Sequence, residues 1–190
     1  VQSARAAEIR SAAKKMLQSW PWGLPAELGG LAALVEASGD AAAWPSGHRH
    51  YDQSDYTVHR RPGWFASVKM FSTRTKSGER TNGENLLGSR QSDGRFHLAL
   101  TGEEYYENNV RPALDWARLP GITVEKSPDA ANDLYGYGTN RFAGGTGDGQ
   151  NGVSAMEVAP LGSTLRAKKS WFFFDDAIVF LTSGITAAGG

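Results

Sequence analysis

The chain has 190 residues, 40% of them hydrophobic and 21% charged, which suits a packed globular protein and argues against global disorder. Its net charge is zero, which argues against a nucleic-acid-binding protein that works through a broad basic surface. The absence of cysteine excludes disulfides and cysteine-ligated zinc, and no apolar run approaches the ~20 residues of a membrane span. The first ten residues lack the apolar run of a signal peptide, so we expect a mature or internal segment.

Two helices are predicted at the start of the chain. Residues 3–19 place Ile9, Ala13, Met16 and Leu17 on one face, because these residues recur at spacings of three and four. Residues 26–37 repeat the pattern and end before Gly39. Two helices this short cannot bury both apolar faces alone, so we expect them to pack on further helices of a larger helical domain.

A loop-like stretch, residues 39–55, separates the helices from a region in which apolar residues alternate with period two. This alternation predicts strands at 64–73, 95–100, 153–158, 164–174 and 177–182, the last two joined by a tight turn at Asp175 and Asp176. The apolar runs WFFF and AIVFL predict strands covered on both faces, and the glycine-rich residues 136–152 predict a long loop. The fold expected is mainly β, an antiparallel multi-strand β-sandwich at 44–190 after two helices at 1–43.

Two polar patterns have weak functional interpretations. His48 and His50 lie two apart with Asp52 nearby, which loosely resembles a metal cluster, but no third ligand is obvious. The glycines at 144–149 lack the flanking strand and helix, and the Gly-Lys-Ser/Thr sequence, of a phosphate-binding loop. His59 is expected to be a hydrogen-bonded turn residue, and His97 a residue at the edge of the core or in solvent. We therefore expect neither a metal nor a nucleotide.

Arg74 is the strongest candidate for a functional residue. It follows the apolar face of the predicted strand at 64–73, where an unpaired charge would be costly. It can form an ion pair with Glu79 or Glu84, or its planar guanidinium can face the carboxylate of a ligand or a catalytic phenol. Trp116 lies in a predicted rigid turn, where it is either buried or stacked on a sugar ring.

Three sequence blocks, in this order, resemble polysaccharide lyase family 8, the group that contains the hyaluronate, chondroitin AC and xanthan lyases. The blocks are HRRPGW at 59–64 continuing through FSTR at 71–74 to NGEN at 82–85, then DWARLPGIT at 115–123, and KSWFFFDD at 169–176 leading to Gly184 and Ile185. The resemblance implies a helical toroid followed by a multi-sheet β-sandwich. Residues 1–43 would be the end of the toroid, and residues 44–190 the first part of the β region.

The chemistry that the resemblance implies is β-elimination at a 4-linked uronic acid, without hydrolysis and without a cofactor. A base removes the C5 proton, an acid protonates the leaving oxygen, and hydrogen-bond donors neutralise the sugar carboxylate. In the family an asparagine neutralises the carboxylate, and a histidine and a tyrosine transfer the protons. An arginine supports the tyrosine, and a glutamate orients the group.

Part of this set can be assigned to residues of the chain. Arg74 matches the family's arginine and is the catalytic candidate, and the resemblance makes substrate-binding candidates of Asn82, Glu84, Asn85 and Trp116. Residues 1–55 contain no match for the asparagine, histidine and tyrosine, and the glutamate is expected beyond Gly184. A second arginine of the family falls at Gly78 here, with Lys76 as a weak substitute. We therefore expect a segment of a lyase that is inactive or nearly so by itself.

The partners implied are an acidic polysaccharide of the hyaluronan, chondroitin, xanthan or gellan type and the remaining parts of the same lyase, with no nucleic acid, membrane or metal. The implied location is secreted or periplasmic, in a bacterium. Two alternatives remain open, a non-catalytic carbohydrate-binding β-sandwich and a purely structural one. The carbohydrate-binding alternative predicts glycan binding that survives Arg74→Ala but weakens when an exposed tryptophan is lost.

Overall fold

The computed structural model describes residues 2–19, 25–37, 45–80, 82–105, 110–126 and 134–188. The chain divides into two compact units, residues 1–45 and 46–190. No helix in the described part of the chain is long and apolar enough to cross a membrane.

The first unit contains the two predicted helices, α1 (Gln2–Gln18) and α2 (Gly29–Glu36), the second preceded by one turn of 3-10 helix, Ala26–Leu28. Lys14 joins them, because its Nζ donates a hydrogen bond of 2.8 Å to the carbonyl oxygen of Glu36. Gly39, the predicted stop signal, lies outside the described residues.

The apolar faces of these two helices remain largely uncovered within the described residues. Ile9 and Met16 of α1 are exposed, as is Leu31 of α2, whereas Val35 is buried. This exposure agrees with the expectation that two short helices cannot bury their apolar faces alone.

The second unit contains two four-stranded antiparallel sheets, which confirms the predicted mainly β sandwich. In each sheet the spatial order of the strands follows the chain. The first sheet contains β1 (Gly47–Tyr51), β2 (Tyr56–Arg61), β3 (Trp64–Lys69) and β4 (Arg95–Ala99); the second contains β5 (Ala143–Gly147), β6 (Gly152–Val158), β7 (Arg166–Phe173) and β8 (Ile178–Thr186). A short helix, α3 (Val110–Ala113), lies in the connection between the sheets.

The hydrophobic core lies between the two sheets. Its largest members are Met70 and Phe71, which follow β3, together with Trp171 and Phe173 on β7, and all four are fully buried. Gly94 turns the chain into β4 directly above Trp171, where a Cβ atom would lie 3.1 Å from the indole ring. Its φ of +87° is in the left-handed region, so both the backbone and the packing require glycine there.

A polar pair extends the contact between the sheets beyond the apolar core. His48 on β1 and His59 on β2 are buried, with their Nδ1 atoms 3.3 Å apart. Because Nε2 of His59 lies 3.0 Å from the carbonyl oxygen of Phe174, it must donate, so Nδ1 of neutral His59 accepts from His48. The Nε2 atom of His48 is then a buried acceptor, and it has no hydrogen-bond partner. Burial is the main cause that lowers the pKa of His48, to about 4.

Four predictions about the strands were wrong. Residues 39–55 include β1 and residues 136–152 include β5, although both stretches were expected to be loops. His59 lies within β2 rather than in a turn. In β8, Val179 and Leu181 are exposed, so this strand is not covered on both faces within the described residues.

Candidate functional site

Arg74 lies in the turn that follows β3, beside a fully buried carboxylate. Asp55 precedes β2, has a φ of 49° in the left-handed region, and is fully buried. Its Oδ2 accepts hydrogen bonds of 2.8 Å from the hydroxyl groups of Ser72 and Thr75, and its Oδ1 accepts one from Nη2 of Arg74. The carbonyl oxygen of Asp55 also accepts from the backbone N–H of Met70 at 2.9 Å. The turn is therefore fixed to one aspartate.

The guanidinium of Arg74 is held on one side and open on the other. Its Nη2 donates to Asp55 and, at 2.7 Å, to the carbonyl oxygen of Ala143. Within the described residues these are its hydrogen bonds, so the three N–H groups on Nη1 and Nε remain available to a ligand. The side chain is 39% exposed. The alternative in which Arg74 pairs with Glu79 or Glu84 is not observed within the described residues, since the carboxylate that holds Arg74 is Asp55.

Arg74 lines a cavity of about 480 Å³, and two neighbouring cavities of about 330 Å³ each share lining residues with it. Gln91 lines all three cavities, and we call them together the Gln91 groove. Arg74 lies in the first cavity, Phe65 in the second, and Trp116 in the third. The cationic and aromatic residues that line the groove are Tyr56, Phe65, Lys69, Arg74, Lys76, Arg95, His97, Tyr105, Trp116 and Tyr137.

The Gln91 groove has an excess of positive charge. Its cations are Lys69, Arg74, Lys76 and Arg95, and Glu79 is the one carboxylate among its lining residues in the described part of the chain. This excess is local, because the whole chain has no net charge. Local positive charge of this kind can attract an acidic ligand to the groove although the chain as a whole is neutral.

Two titratable residues in the groove have pKa values changed by burial. Burial lowers the pKa of Lys69, which Asp55 partly raises again, and the ammonium donates hydrogen bonds of 2.7 Å to the carbonyl oxygens of Ser54 and Met70. Burial and Arg95 both lower the pKa of His97, so its ring is neutral at pH 7. The ring stacks on Tyr105, with 4.0 Å between the ring centroids.

The four predicted substrate-binding residues divide into two groups. Asn85 and Trp116 line the third cavity, whereas Asn82 and Glu84 are exposed and lie outside the lining of the groove. The asparagines have φ of 56° and 52°, and Nδ2 of Asn85 donates to the carbonyl oxygen of Glu79 at 2.7 Å. Both asparagines are therefore turn residues first, as their residue type predicts.

Trp116 is half-buried in a turn that is tightly fixed. Asp115 accepts hydrogen bonds from the backbone of Ala117 at 3.0 Å and from the guanidinium of Arg118 at 2.6 Å. The carbonyl oxygen of Pro120 accepts from the N–H of Phe96 on β4 at 2.9 Å. These hydrogen bonds fix the turn, and Trp116, half-buried, lines the third cavity.

Gly78 leaves no room for a side chain. A Cβ atom at this position would lie 2.0 Å from the carbonyl oxygen of Gly88. The second arginine of the resembled family therefore has no equivalent at this position unless the backbone moves.

Sequence reasoning missed Asp55, Gln91, Arg95 and Tyr137. Asp55 follows Asp52 in a polar stretch, DQSD, and nothing local indicates that one of these two carboxylates is buried and the other exposed. The alternation of residues 95–100 did predict that Arg95 and His97 share a face of β4. It did not show that this face lines a groove.

A second basic cavity, of about 660 Å³, lies on the other sheet and serves as a comparison. It is lined by Arg141, Arg166 and Lys168 together with Glu157, and it has no aromatic residue in its lining. Positive charge alone therefore does not distinguish the two places. The aromatic residues and the fixed guanidinium distinguish the Gln91 groove.

The histidines at the start of the β unit do not form a metal site. His48 contacts His59, and Nδ1 of His50 lies 2.8 Å from the hydroxyl oxygen of Thr57. Among the described residues, no group of three or more His, Cys, Asp and Glu side chains is placed to hold a metal ion.

Comparisons with known proteins agree on one family. The family model described as polysaccharide lyase family 8, super-sandwich domain, matches residues 46–190. Chondroitinase-AC of Pedobacter heparinus is 43% identical over 146 residues, which cover 74% of this chain and 20% of that protein. Hyaluronate lyase of Thermasporomyces composti is 41% identical over 151 residues, which cover 77% of this chain and 19% of that protein.

A solved structure extends the similarity to nearly the whole chain. The chondroitin AC lyase of Streptomyces coelicolor A3, in complex with chondroitin sulphate, matches 98% of this chain and 27% of its own, with a TM-score of 0.84 and 34% identity. The chain therefore spans about a fifth of the length of the curated relatives it matches.

Proposed function

The chain belongs to polysaccharide lyase family 8, and from this premise we propose that it is the part of a lyase that binds an acidic, uronic-acid-containing polysaccharide for β-elimination. The observation that supports the proposal is the Gln91 groove. It joins a guanidinium fixed by a buried aspartate, at Arg74, to an aromatic end at Trp116. Residues 1–43 are proposed to be the end of the helical domain of the same lyase.

The role proposed for Arg74 follows from the charge that develops during the reaction. The C5 proton of a uronate is barely acidic while the neighbouring carboxylate keeps its full negative charge. Donors that are already in place when charge develops cost no reorganisation at that moment. The open N–H groups of Arg74 suit either the sugar carboxylate or a tyrosine that exchanges the proton, and the bond to Asp55 keeps them in one orientation.

The substrate class proposed is a polymer of the chondroitin or hyaluronan type. The relatives named for these polymers are 43% and 41% identical to this chain, and the solved relative is bound to chondroitin sulphate. A regular anionic polymer matches a groove that has cations at several points along it. Because such polymers are too large to cross a bilayer, we propose that the complete protein acts outside the cytoplasm.

Glycan binding by the 190-residue chain tests the proposal. We would titrate the chain with unsulfated chondroitin hexasaccharide and with a neutral chitin hexasaccharide, at low and high salt, by isothermal titration calorimetry. The acidic sugar should bind, more weakly at high salt, and the neutral sugar should not. Equal binding of the two sugars, or no binding of either, would contradict the proposal.

Ultraviolet absorbance of the unsaturated uronate, recorded on the same samples, tests whether the catalytic asparagine, histidine and tyrosine lie outside this chain. Little or no turnover is expected, because residues 1–55 offer no match for the asparagine, histidine and tyrosine of the family. Robust turnover by this chain alone would show that the assignment of the missing groups is wrong. Binding that survives Arg74→Ala and fails on Trp116→Ala would favour a non-catalytic carbohydrate-binding module.

A further inference from the structure

Tyr137 and Lys76 form a paired surface feature in the same cavity as Arg74. Tyr137 is 59% exposed, a high value for an aromatic side chain that lines a cavity. The ammonium of Lys76 lies 5.6 Å from the centroid of the Tyr137 ring and 4.9 Å from that of Tyr135. The lysine therefore lies beside two tyrosine rings, at distances typical of cation–π contacts.

The backbone fixes this pair at a set place relative to Arg74. Lys76 and Tyr137 form an antiparallel bridge, and the N–H of Ser77 donates to the carbonyl oxygen of Gly136 at 2.8 Å. The N–H of Gly138 donates to the carbonyl oxygen of Ser72 at 3.1 Å, within the turn that holds Arg74. Backbone hydrogen bonds thus join both residues to the turn that bears Arg74, although they come from segments about 60 residues apart.

The charge of Lys76 is available to a ligand. Lys76 is exposed, none of the ion pairs within the described residues includes it, and its ammonium lies beside the two tyrosine rings. An exposed ring beside a cation matches the two parts of an acidic sugar. The C–H face of the pyranose can lie on the ring, and the carboxylate or sulfate can meet the ammonium.

We infer that Tyr137 and Lys76 form a second saccharide subsite next to Arg74, which binds one anionic sugar unit by stacking on Tyr137 and by charge on Lys76. The inference rests on the proposed function, since it concerns the same groove and the same class of polymer. It adds a place for a neighbouring sugar of the chain, beside the unit that Arg74 contacts. It also predicts that a longer oligosaccharide binds more tightly than one that reaches Arg74 alone.

The test uses the 190-residue chain and unsulfated chondroitin hexasaccharide, measured by calorimetry. Tyr137→Ala should weaken binding about tenfold, corresponding to ~1.4 kcal/mol, whereas Tyr137→Phe, which keeps the ring, should bind within about twofold of the parent. Lys76→Ala should weaken binding about fivefold and reduce its salt dependence. The matched control is Lys168→Ala, which removes a lysine from the cavity on the other sheet and should leave binding unchanged.

Further measurements identify the sugar group that Lys76 binds and test whether Tyr137 and Lys76 bind the same sugar unit. Tyr137→Ala should leave the affinity for a disaccharide unchanged. Comparing the effect of Lys76→Ala on the affinities for chondroitin 4-sulfate and for unsulfated chondroitin shows whether Lys76 binds a carboxylate or a sulfate. The double variant should lose less than the sum of the single losses, because the ammonium and the ring bind the same sugar unit. Circular dichroism confirms that each variant is folded.

The outcomes separate this inference from the proposed function. Loss of binding on Arg74→Ala, with Tyr137→Ala and Lys76→Ala both unchanged, would overturn the subsite and leave the proposed function standing. Hexasaccharide binding that is indifferent to all three substitutions, or absent from the parent chain, would overturn both. Equal losses for Tyr137→Ala and Tyr137→Phe would exclude stacking and thereby contradict the subsite as described.

Discussion

Arg74 and Asp55 are joined by a hydrogen-bonded ion pair across 19 positions of sequence, with the aspartate fully buried and the arginine at the groove. The same carboxylate accepts from Ser72 and Thr75, so three side chains of one turn converge on it. An arginine held in this way loses its rotamer freedom when the protein folds rather than when it binds. This preorganisation is the physical basis of the role proposed for Arg74.

Asp55→Asn should destabilise the β unit by about 1–3 kcal/mol, because a buried hydrogen-bond hub loses its charge and part of its accepting capacity. The free energy of unfolding in urea, followed by tryptophan fluorescence, measures the change. Asp115→Asn is the control, since it neutralises a carboxylate in an exposed pair with Arg118 and should cost less than about 1 kcal/mol. Equal stabilities of Asp55→Asn and the parent would show that the network contributes nothing.

Because the pKa of His48 is lowered, we predict that the free energy of unfolding decreases in mild acid. Its folded pKa of about 4 lies below the ordinary value of 6.5, so between these limits the unfolded chain binds the proton and the folded protein does not. The contribution of His48 to stability is therefore retained above pH 6.5 and is lost by up to about 1.4 kcal/mol per pH unit as the pH drops toward 4. Urea unfolding across this range measures the slope.

His48→Asn is the informative variant, because an asparagine Nδ2 can keep the hydrogen bond to His59 while the titrating ring is removed. We expect the parent to show a steeper fall of stability between pH 6.5 and 4 than this variant. Parallel pH profiles for the two proteins would mean that His48 is not the titrating group.

Gly138→Ala should displace the loop that bears Tyr137, since its Cβ would lie 2.8 Å from the carbonyl carbon and oxygen of Ser72. Gly136→Ala is a matched control two residues away, where the nearest atom to a Cβ is Cδ1 of Leu161 at 3.7 Å. We expect a lower melting temperature and weaker hexasaccharide binding for the first variant and parent-like values for the second. If the two variants behave alike, the close contact between the loops is not a constraint.

The regular strands of the β unit were predictable because their apolar residues alternate with period two. Residues 64–73 and 95–100 correspond to β3 and β4, and the turn at Asp175 and Asp176 does join β7 to β8. β3 ends at Lys69, four residues earlier than predicted, because the N–H groups of Met70 and Thr73 donate to Asp55 and Asn140 instead of to a neighbouring strand.

The missed strands and the missed partner of Arg74 have separate physical reasons. β1 buries His48 and β5 is mostly glycine, so neither strand has an apolar face to reveal it. The pairing of Arg74 with Asp55 depends on a left-handed residue before β2 and on a turn after β3, and the antiparallel pairing of these strands brings the two together. In the sequence, Glu79 and Glu84 are the carboxylates that follow soon after Arg74, but the pairing of β2 with β3 brings Asp55 to it instead.

The central claim, that Arg74 serves β-elimination, is tested most directly in a chimera of Pedobacter heparinus chondroitinase-AC whose matching segment is replaced by residues 46–190. Turnover of chondroitin is followed by the absorbance of the unsaturated product, and circular dichroism confirms folding. We predict that Arg74→Ala lowers kcat about 100-fold or more, while Arg166→Ala, in the basic cavity of the other sheet, stays within about twofold of the parent chimera. A folded Arg74→Ala chimera that turns over chondroitin at the parent rate would contradict the account.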